Sequence, residues 1–375
     1  MALAIAPAAQ ATGYSWPLSY TFSDGTAAGM TLRYQYDIND YSGDKGKLED
    51  DSGARREYLG VYIRKPDWFE ATVAYNFTTH SWLDIKIRWL TSPLLPLDLG
   101  ALEVAGYAKV PAGLEGFTST AATSFMELAL PVQAIYPGRR VGIDWAFTRE
   151  HYVVNAGLYR GRNVDGTNVG HMSLLRAVWI PLNESRDVLH VGATLSRETL
   201  GGEDSADSIV RIRARPEAGL TSIRLVDSGE LTSVASVWGA GLEGLWIHGP
   251  FSVQSEYLAA SVLRGNGFAT YRASGYYAYG SWVLTGESRG YKSGSVSDVR
   301  PTGPFGAVEL LLRYSELDLG SGPVQGGQQH NWTLGANWYL TRNFKLQANY
   351  VKVQSERQGV HTNPNIVEMR FQMDY

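Results

Sequence analysis

In the stretch Glu368-Met369-Arg370-Phe371-Gln372-Met373-Asp374-Tyr375, Met369, Phe371, Met373 and Tyr375 fall on one side of an extended backbone and Glu368, Arg370, Gln372 and Asp374 on the other. Successive side chains of a strand point to opposite faces, so this alternation predicts a strand with one greasy and one wet face. The pattern recurs along the chain. Leu32, Tyr34, Tyr36 and Ile38 alternate with Thr31, Arg33, Gln35 and Asp37, and Leu83, Ile85, Ile87 and Trp89 with Asp84, Lys86 and Arg88. Val308, Leu310, Leu312 and Tyr314 oppose Glu309 and Arg313, while Trp332, Leu334, Ala336, Trp338 and Leu340 oppose Thr333, Asn337 and Tyr339. A soluble sandwich alternates too, so no single strand separates it from a membrane barrel.

Two features favour the barrel. Trp68, Trp82, Trp89, Trp246, Trp332, Tyr339 and Tyr350 crowd the strand ends, where rings sit at membrane interfaces. The connections also alternate in length: 64–68, 248–250 and 341–343 are tight, whereas 39–54, 111–138 and 317–330 are long. Strands are expected near 29–38, 55–64, 69–78, 82–91, 100–109, 139–149, 151–160, 172–181, 187–197, 234–246, 251–262, 270–284, 305–316, 331–340, 344–354 and 365–375. The fold class is therefore all-β, a 16-stranded antiparallel transmembrane β-barrel with inward-folded loops, both ends of the chain lying at the periplasmic rim and water filling the bore.

Composition narrows the function. The chain has 375 residues, 19% charged, with 41 Gly and no Cys, which excludes a disulfide framework and thiolate metal sites. A net charge of -4 gives no global basic footprint, so nucleic acid is not an expected partner. No uninterrupted apolar window reaches the length of a spanning helix; the most apolar stretch, 94–104, is broken by Pro96, Asp98 and Gly100. Residues 1–11 read as the remnant of a secretory signal ending in Ala9-Gln10-Ala11, or as a disordered arm, and 12–375 as a single barrel domain. The seven His lack ligand spacing, so neither metal nor cofactor is expected. Gly239-Ala240-Gly241-Leu242-Glu243-Gly244 satisfies a nucleotide-loop pattern only literally, because it lies inside an alternating strand with no helix after it. No nucleophile elbow is present, so no catalytic residues are assigned and the chain reads as a non-enzyme; an outer-membrane esterase or phospholipase built from distant strands stays open at this point.

Residues 198–233 are left over as a long external loop. Within it Arg211, Arg213 and Arg215 alternate with Ile212 and Ala214, which puts three guanidiniums on one face about 6.5–7 Å apart. Either the stripe is merely solvated, or the loop folds inward and the forked donors make a stepped track for anions. The second long loop, 111–138, follows the strand carrying Lys109 and is long enough to narrow the pore.

The run Gly106-Tyr107-Ala108-Lys109-Val110-Pro111-Ala112-Gly113-Leu114-Glu115-Gly116-Phe117-Thr118-Ser119 resembles the constriction loop of the phosphate-selective porins O and P, as do Phe125-Met126-Glu127-Leu128-Ala129-Leu130-Pro131 and Pro137-Gly138-Arg139-Arg140. Arg211-Ile212-Arg213-Ala214-Arg215-Pro216-Glu217, Gly249-Pro250-Phe251-Ser252-Val253-Gln254 and Glu309-Leu310-Leu311-Leu312-Arg313-Tyr314-Ser315 extend the resemblance in order along residues 29–375. It implies a trimer in the Gram-negative outer membrane whose basic lumen passes phosphate or polyphosphate. It assigns Lys109 to the constriction and Arg211, Arg213 and Arg215 to an arginine ladder, with Arg33 as an inward basic residue; Arg313 is lumen-facing by parity alone. Leu128 stands where the family usually carries Arg or Lys. The closing strand ending in Tyr375 resembles the signal that barrels present to their assembly machinery.

The expected function is passive diffusion of small anions, phosphate or polyphosphate, across the outer membrane. The alternatives are a general or other-substrate porin without phosphate selectivity, and an outer-membrane enzyme.

Overall fold

The computed structural model of the protein describes residues 13–15, 19–43, 46–90, 101–160, 170–200 and 208–375. The Ala-rich segment 1–11 lies outside the described residues. Sixteen strands make the wall: β1 Ala27–Ser42, β2 Asp51–Lys65, β3 Phe69–Asn76, β4 Ser81–Trp89, β5 Ala101–Lys109, β6 Arg139–Thr148, β7 Tyr152–Arg160, β8 Gly170–Asn183, β9 Asp187–Leu200, β10 Val234–His248, β11 Phe251–Arg264, β12 Tyr271–Val283, β13 Ala307–Ser321, β14 Val324–Tyr339, β15 Phe344–Arg357 and β16 Asn365–Asp374. Each pairs antiparallel with the next, and β16 pairs with β1 from Asn365↔Ser42 to Asp374↔Arg33, so the barrel closes. The seam extends by two mutual bonds: Leu32 N–H donates to the Tyr375 carbonyl at 2.9 Å and Tyr375 N–H to the Leu32 carbonyl at 2.8 Å. Closure leaves no open sheet edge, which a hydrocarbon surround would not tolerate.

The alternation sorts side chains between oil and water. Leu158, Leu242, Leu334 and Met369 stand exposed on the outer wall, while Glu368, Arg370, Gln372, Glu309, Arg313 and Asn337 are buried inside. All sixteen expected strands are present, with four corrections. The segment 317–330, expected as a long loop, is strand almost throughout: β13 and β14 run past the interface and turn at Gly322 and Pro323. Leu83 does not share the outer face with Ile85. The register shifts between Val73 and Tyr75, Leu83 and Asp84 oppose one residue, and both line the bore; such a bulge resets the parity. Tyr339 also faces inward, its hydroxyl donating to Glu309 at 2.8 Å, rather than sitting in an outer aromatic belt. Finally, long connections do not all leave from one rim: residues 284–306 join β12 to β13 at the periplasmic rim.

The wall is uneven, with β3 to β7 only 8–10 residues long and β8 to β15 13–16. Three connections fold into the bore. Residues 110–138 carry α1, Leu130–Ile135, begun by Pro131 where its missing N–H costs nothing. Residues 208–233 form a narrow hairpin, and 284–306 rise from the opposite rim with a short hairpin of Gly290–Lys292 and Ser295–Ser297.

Candidate functional site

The loop 110–138 crosses the bore because the far wall supplies a partner for its backbone. Glu256 on β11 accepts the N–H groups of Leu114 and Glu115 at 2.9 and 2.7 Å. That approach requires Gly113, whose φ is +71° and where a Cβ would collide with the Glu256 carboxylate. Farther along, wall cations donate to loop carbonyls: Arg370 to Met126 at 2.7 Å, Lys345 to Ala121 at 2.5 Å, and Arg289, from the periplasmic insert, to Ala122 at 2.7 Å. Phe125 packs edge-on against Tyr279 among Ala129, Val132, Tyr277 and Leu311. Leu128 packs on the same apolar cluster.

With the loop held against β11 to β16, open space remains on the side of β1 to β7. There a cavity of about 730 Å³ is lined by six cationic side chains, Arg33, Arg64, Lys86, Arg88, Lys109 and Arg139, against four acidic ones, so its balance is positive. Lys109 donates to the carbonyls of Gly116 and Thr118 at 2.9 and 2.5 Å, which fixes its ammonium at the loop tip. Opposite, Arg33 is held by Asp374 at 2.8 Å and by the Thr120 hydroxyl at 2.8 Å. Arg139 meets Asp84 at 3.4 Å.

The arginine hairpin lies above this cavity. Val210, Ile212, Ala214, Val226 and Leu231 pack on inward apolar residues of β11 to β13, among them Val262, Tyr271, Ala273, Leu317 and Leu319. Alternation then turns Arg211, Arg213 and Arg215 away from that wall and toward open space. Arg211 is steadied by two-pronged bonds to Asp227 at 2.5–3.0 Å, Arg213 is exposed, and Arg215 donates to the Gly219 carbonyl at 3.1 Å. The Nε of Arg215 is buried with no partner among the described residues.

Of the residues read from sequence, the structure brings Arg211, Arg213 and Arg215 together on the hairpin, and Lys109 and Arg33 onto loop residues 116–120. Arg313 faces inward as parity implied, but its guanidinium is buried against Glu217 at 2.8 Å and Glu115 at 3.2 Å and stacks 4.2 Å over the Phe125 ring. It clamps two loops to the wall. Sequence reasoning passed over Arg55 and Arg56 on β2, which bridge the two groups. Arg215 is in electrostatic range of Arg213 and Arg55, Arg56 of Arg55, and Lys109 of Arg56, Arg33 and Arg139. Arg55 is oriented by a bidentate pair with Glu127 at 2.8 and 3.0 Å. The adjacent pair Arg55-Arg56 was a visible signal, hidden because a strand parity argument sends only one of two neighbours inward. Arg224 adds a fourth arginine beside the ladder. The result is a line of cations from the external hairpin to the periplasmic vestibule.

The model for the family described as "Phosphate-selective porin O and P" matches residues 29–375. Porin O of Pseudomonas aeruginosa is 32% identical over 225 residues, covering 52% of this chain and 50% of that protein, so the chain spans half the length of that relative. Among solved structures, OmpT, an outer membrane protein of Vibrio cholerae, superposes with TM-score 0.64 at 10% identity over 94% of this chain and 99% of its own. An anion-selective porin from Comamonas acidovorans gives TM-score 0.59 at 9% identity over 93% and 100%. The closed barrel, the crossing loop and the family match converge: this chain belongs to the phosphate-selective porins O and P of the Gram-negative outer membrane.

Proposed function

We propose that the barrel passes small anions, phosphate or polyphosphate among them, by passive diffusion. The observation that carries this reading is the division of labour within the hairpin: its apolar side lies on the wall and its arginines face the bore, continuing through Arg55 and Arg56 to Arg33 and Lys109. An incoming phosphate exchanges part of its hydration for guanidinium donors at Arg211, Arg213 and Arg215 in turn. It then passes between Arg33 and Lys109, where low-dielectric walls strengthen attraction. Binding stays shallow and repeated, since a single deep site would stop conduction. No proton transfer or covalent step enters, so the protein acts as a channel. Three copies assemble, lipid surrounds them, and the strand ending in Tyr375 is what the assembly machinery recognises.

The test is conductance in a planar bilayer. Reversal potentials in a KCl gradient should report chloride preferred over potassium, and millimolar phosphate should block the chloride current. Cation preference would refute the reading. Anion preference without phosphate block would restrict it to a general anion porin, for which the apolar Leu128 in place of a basic residue is the motivating feature.

A further inference from the structure

The outer wall carries charge where lipid is expected. On the outward faces of β9 to β12, Arg197, Trp238, Ser261 and Arg272 are consecutive cross-strand partners and so form one row. At about 4.8 Å per strand the two arginines stand roughly 14 Å apart. Both are exposed; Arg197 lies over the Trp238 ring at 5.4 Å, and among the described residues neither guanidinium has a carboxylate or carbonyl acceptor. An unpaired Arg has little reason to face a bilayer unless it stands at headgroup depth and finds an anion there.

Depth follows from the aromatics. Tyr257 pairs with Tyr276, and Tyr314 with Trp332, giving an outward band toward the external rim. Ser261 lies four residues beyond Tyr257, so the arginine row sits about 13 Å farther along the strand, above the band. Between row and band the wall is hollowed. Ala240, Ala259 and Ser274 form the floor of a groove of about 340 Å³ flanked by Leu195, Trp238 and Tyr257, with Arg272 at its mouth. Asp318, also at the mouth, already accepts from Gly320 N–H at 2.8 Å and Gln328 at 3.0 Å.

We propose that this groove binds a phosphorylated glycolipid of the external leaflet, its phosphates on Arg197 and Arg272 and an acyl chain or sugar ring against the small-residue floor. Forked guanidinium donors suit phosphate oxygens, and two of them at this separation suit a headgroup carrying more than one phosphate.

The experiment is native mass spectrometry of the purified barrel titrated with a bisphosphorylated acylated disaccharide lipid and with its dephosphorylated counterpart. The expected result is retention of the phosphorylated lipid and at least tenfold weaker retention of the other. The pair Arg197→Gln and Arg272→Gln should lower affinity at least tenfold while phosphate block of the chloride current stays as in the parent. Ala259→Trp, which fills the floor and keeps both charges, should weaken retention as well. Equal retention of the two lipids, undiminished affinity in either variant, or displacement of the lipid by millimolar inorganic phosphate would overturn the proposal.

Discussion

The two sides of the bore use the same residue types for opposite ends. Toward β11 to β16, Arg289, Arg313, Lys345 and Arg370 are buried, paired with Glu309, Glu217, Asp298 and Asp37, and donate to loop carbonyls. Their acceptors come from the protein, so they fix the loop, and their burial keeps them out of reach of a passing ion. Toward β1 to β7 and along the hairpin, Arg33, Lys109, Arg211 and Arg213 border open space. Counting basic residues in a lumen therefore says little about selectivity: Arg33 and Arg211 have counter-charges in Asp374 and Asp227 just as the buried cations do, and what sets them apart is that part of each guanidinium still borders open space.

The largest effect is expected at Arg313. Arg313→Ala leaves Glu115 and Glu217 buried without their shared cation, which should destabilise the barrel by about 3–5 kcal/mol. The thermal midpoint in detergent should fall and the open current should become noisier; an unchanged midpoint would mean that the paired side is not what holds the loop. Next in size, replacing Arg211, Arg213 and Arg215 with Ala should weaken phosphate block at least tenfold, about 1.4 kcal/mol or more, while the midpoint falls less than for Arg313→Ala, because the buried Asp227 loses Arg211 but keeps the Gly229 N–H. If block persists, the open side is not the anion route. Lys109→Gln should weaken block several-fold only, because Arg33 and Arg139 remain beside it. A titration of block against phosphate concentration reads this, and a loss equal to that of the triple variant would make the constriction dominate the ladder. The smallest effect on block is expected of Glu256→Gln, which keeps an oxygen for only one of the Leu114 and Glu115 N–H groups and turns an NH2 toward the other; it should cost on the order of 1 kcal/mol, seen as a drop in midpoint.

Much of the wall was legible because a strand states its two faces in its own side chains: Met369 and Phe371 outside, Glu368 and Arg370 inside. The hairpin was legible for the same reason, Ile212 and Ala214 against the wall forcing Arg211 and Arg213 the other way. Where local order fails, so does the reading. Leu83 sits at a bulge whose extra residue resets parity, and nothing in Ser81-Trp82-Leu83-Asp84 announces it. The segment 317–330 contains Gly320, Gly322, Pro323, Gly326 and Gly327, a composition that suggests a loop, yet cross-strand pairing with β13 and β14 overrides it. Arg313 could be assigned a direction but not a duty, because its partners Glu115 and Glu217 lie about 200 and 100 positions away in the chain. The insert at 284–306 gave no periodic signal; its place is fixed by single long-range bonds such as Tyr291 to His190 at 2.7 Å.

The seam between β16 and β1 makes the two ends of the wall neighbours, so sequence order around the ring is a convention rather than a structural need. A gene rearranged to begin at the tight turn between β8 and β9, with a short linker across the old ends, would encode the same circle of pairings and a different final strand. Such a circular permutant separates two demands that the natural order keeps fused: being able to close, which refolding in detergent would report, and being handled by cellular insertion machinery, which surface delivery would report.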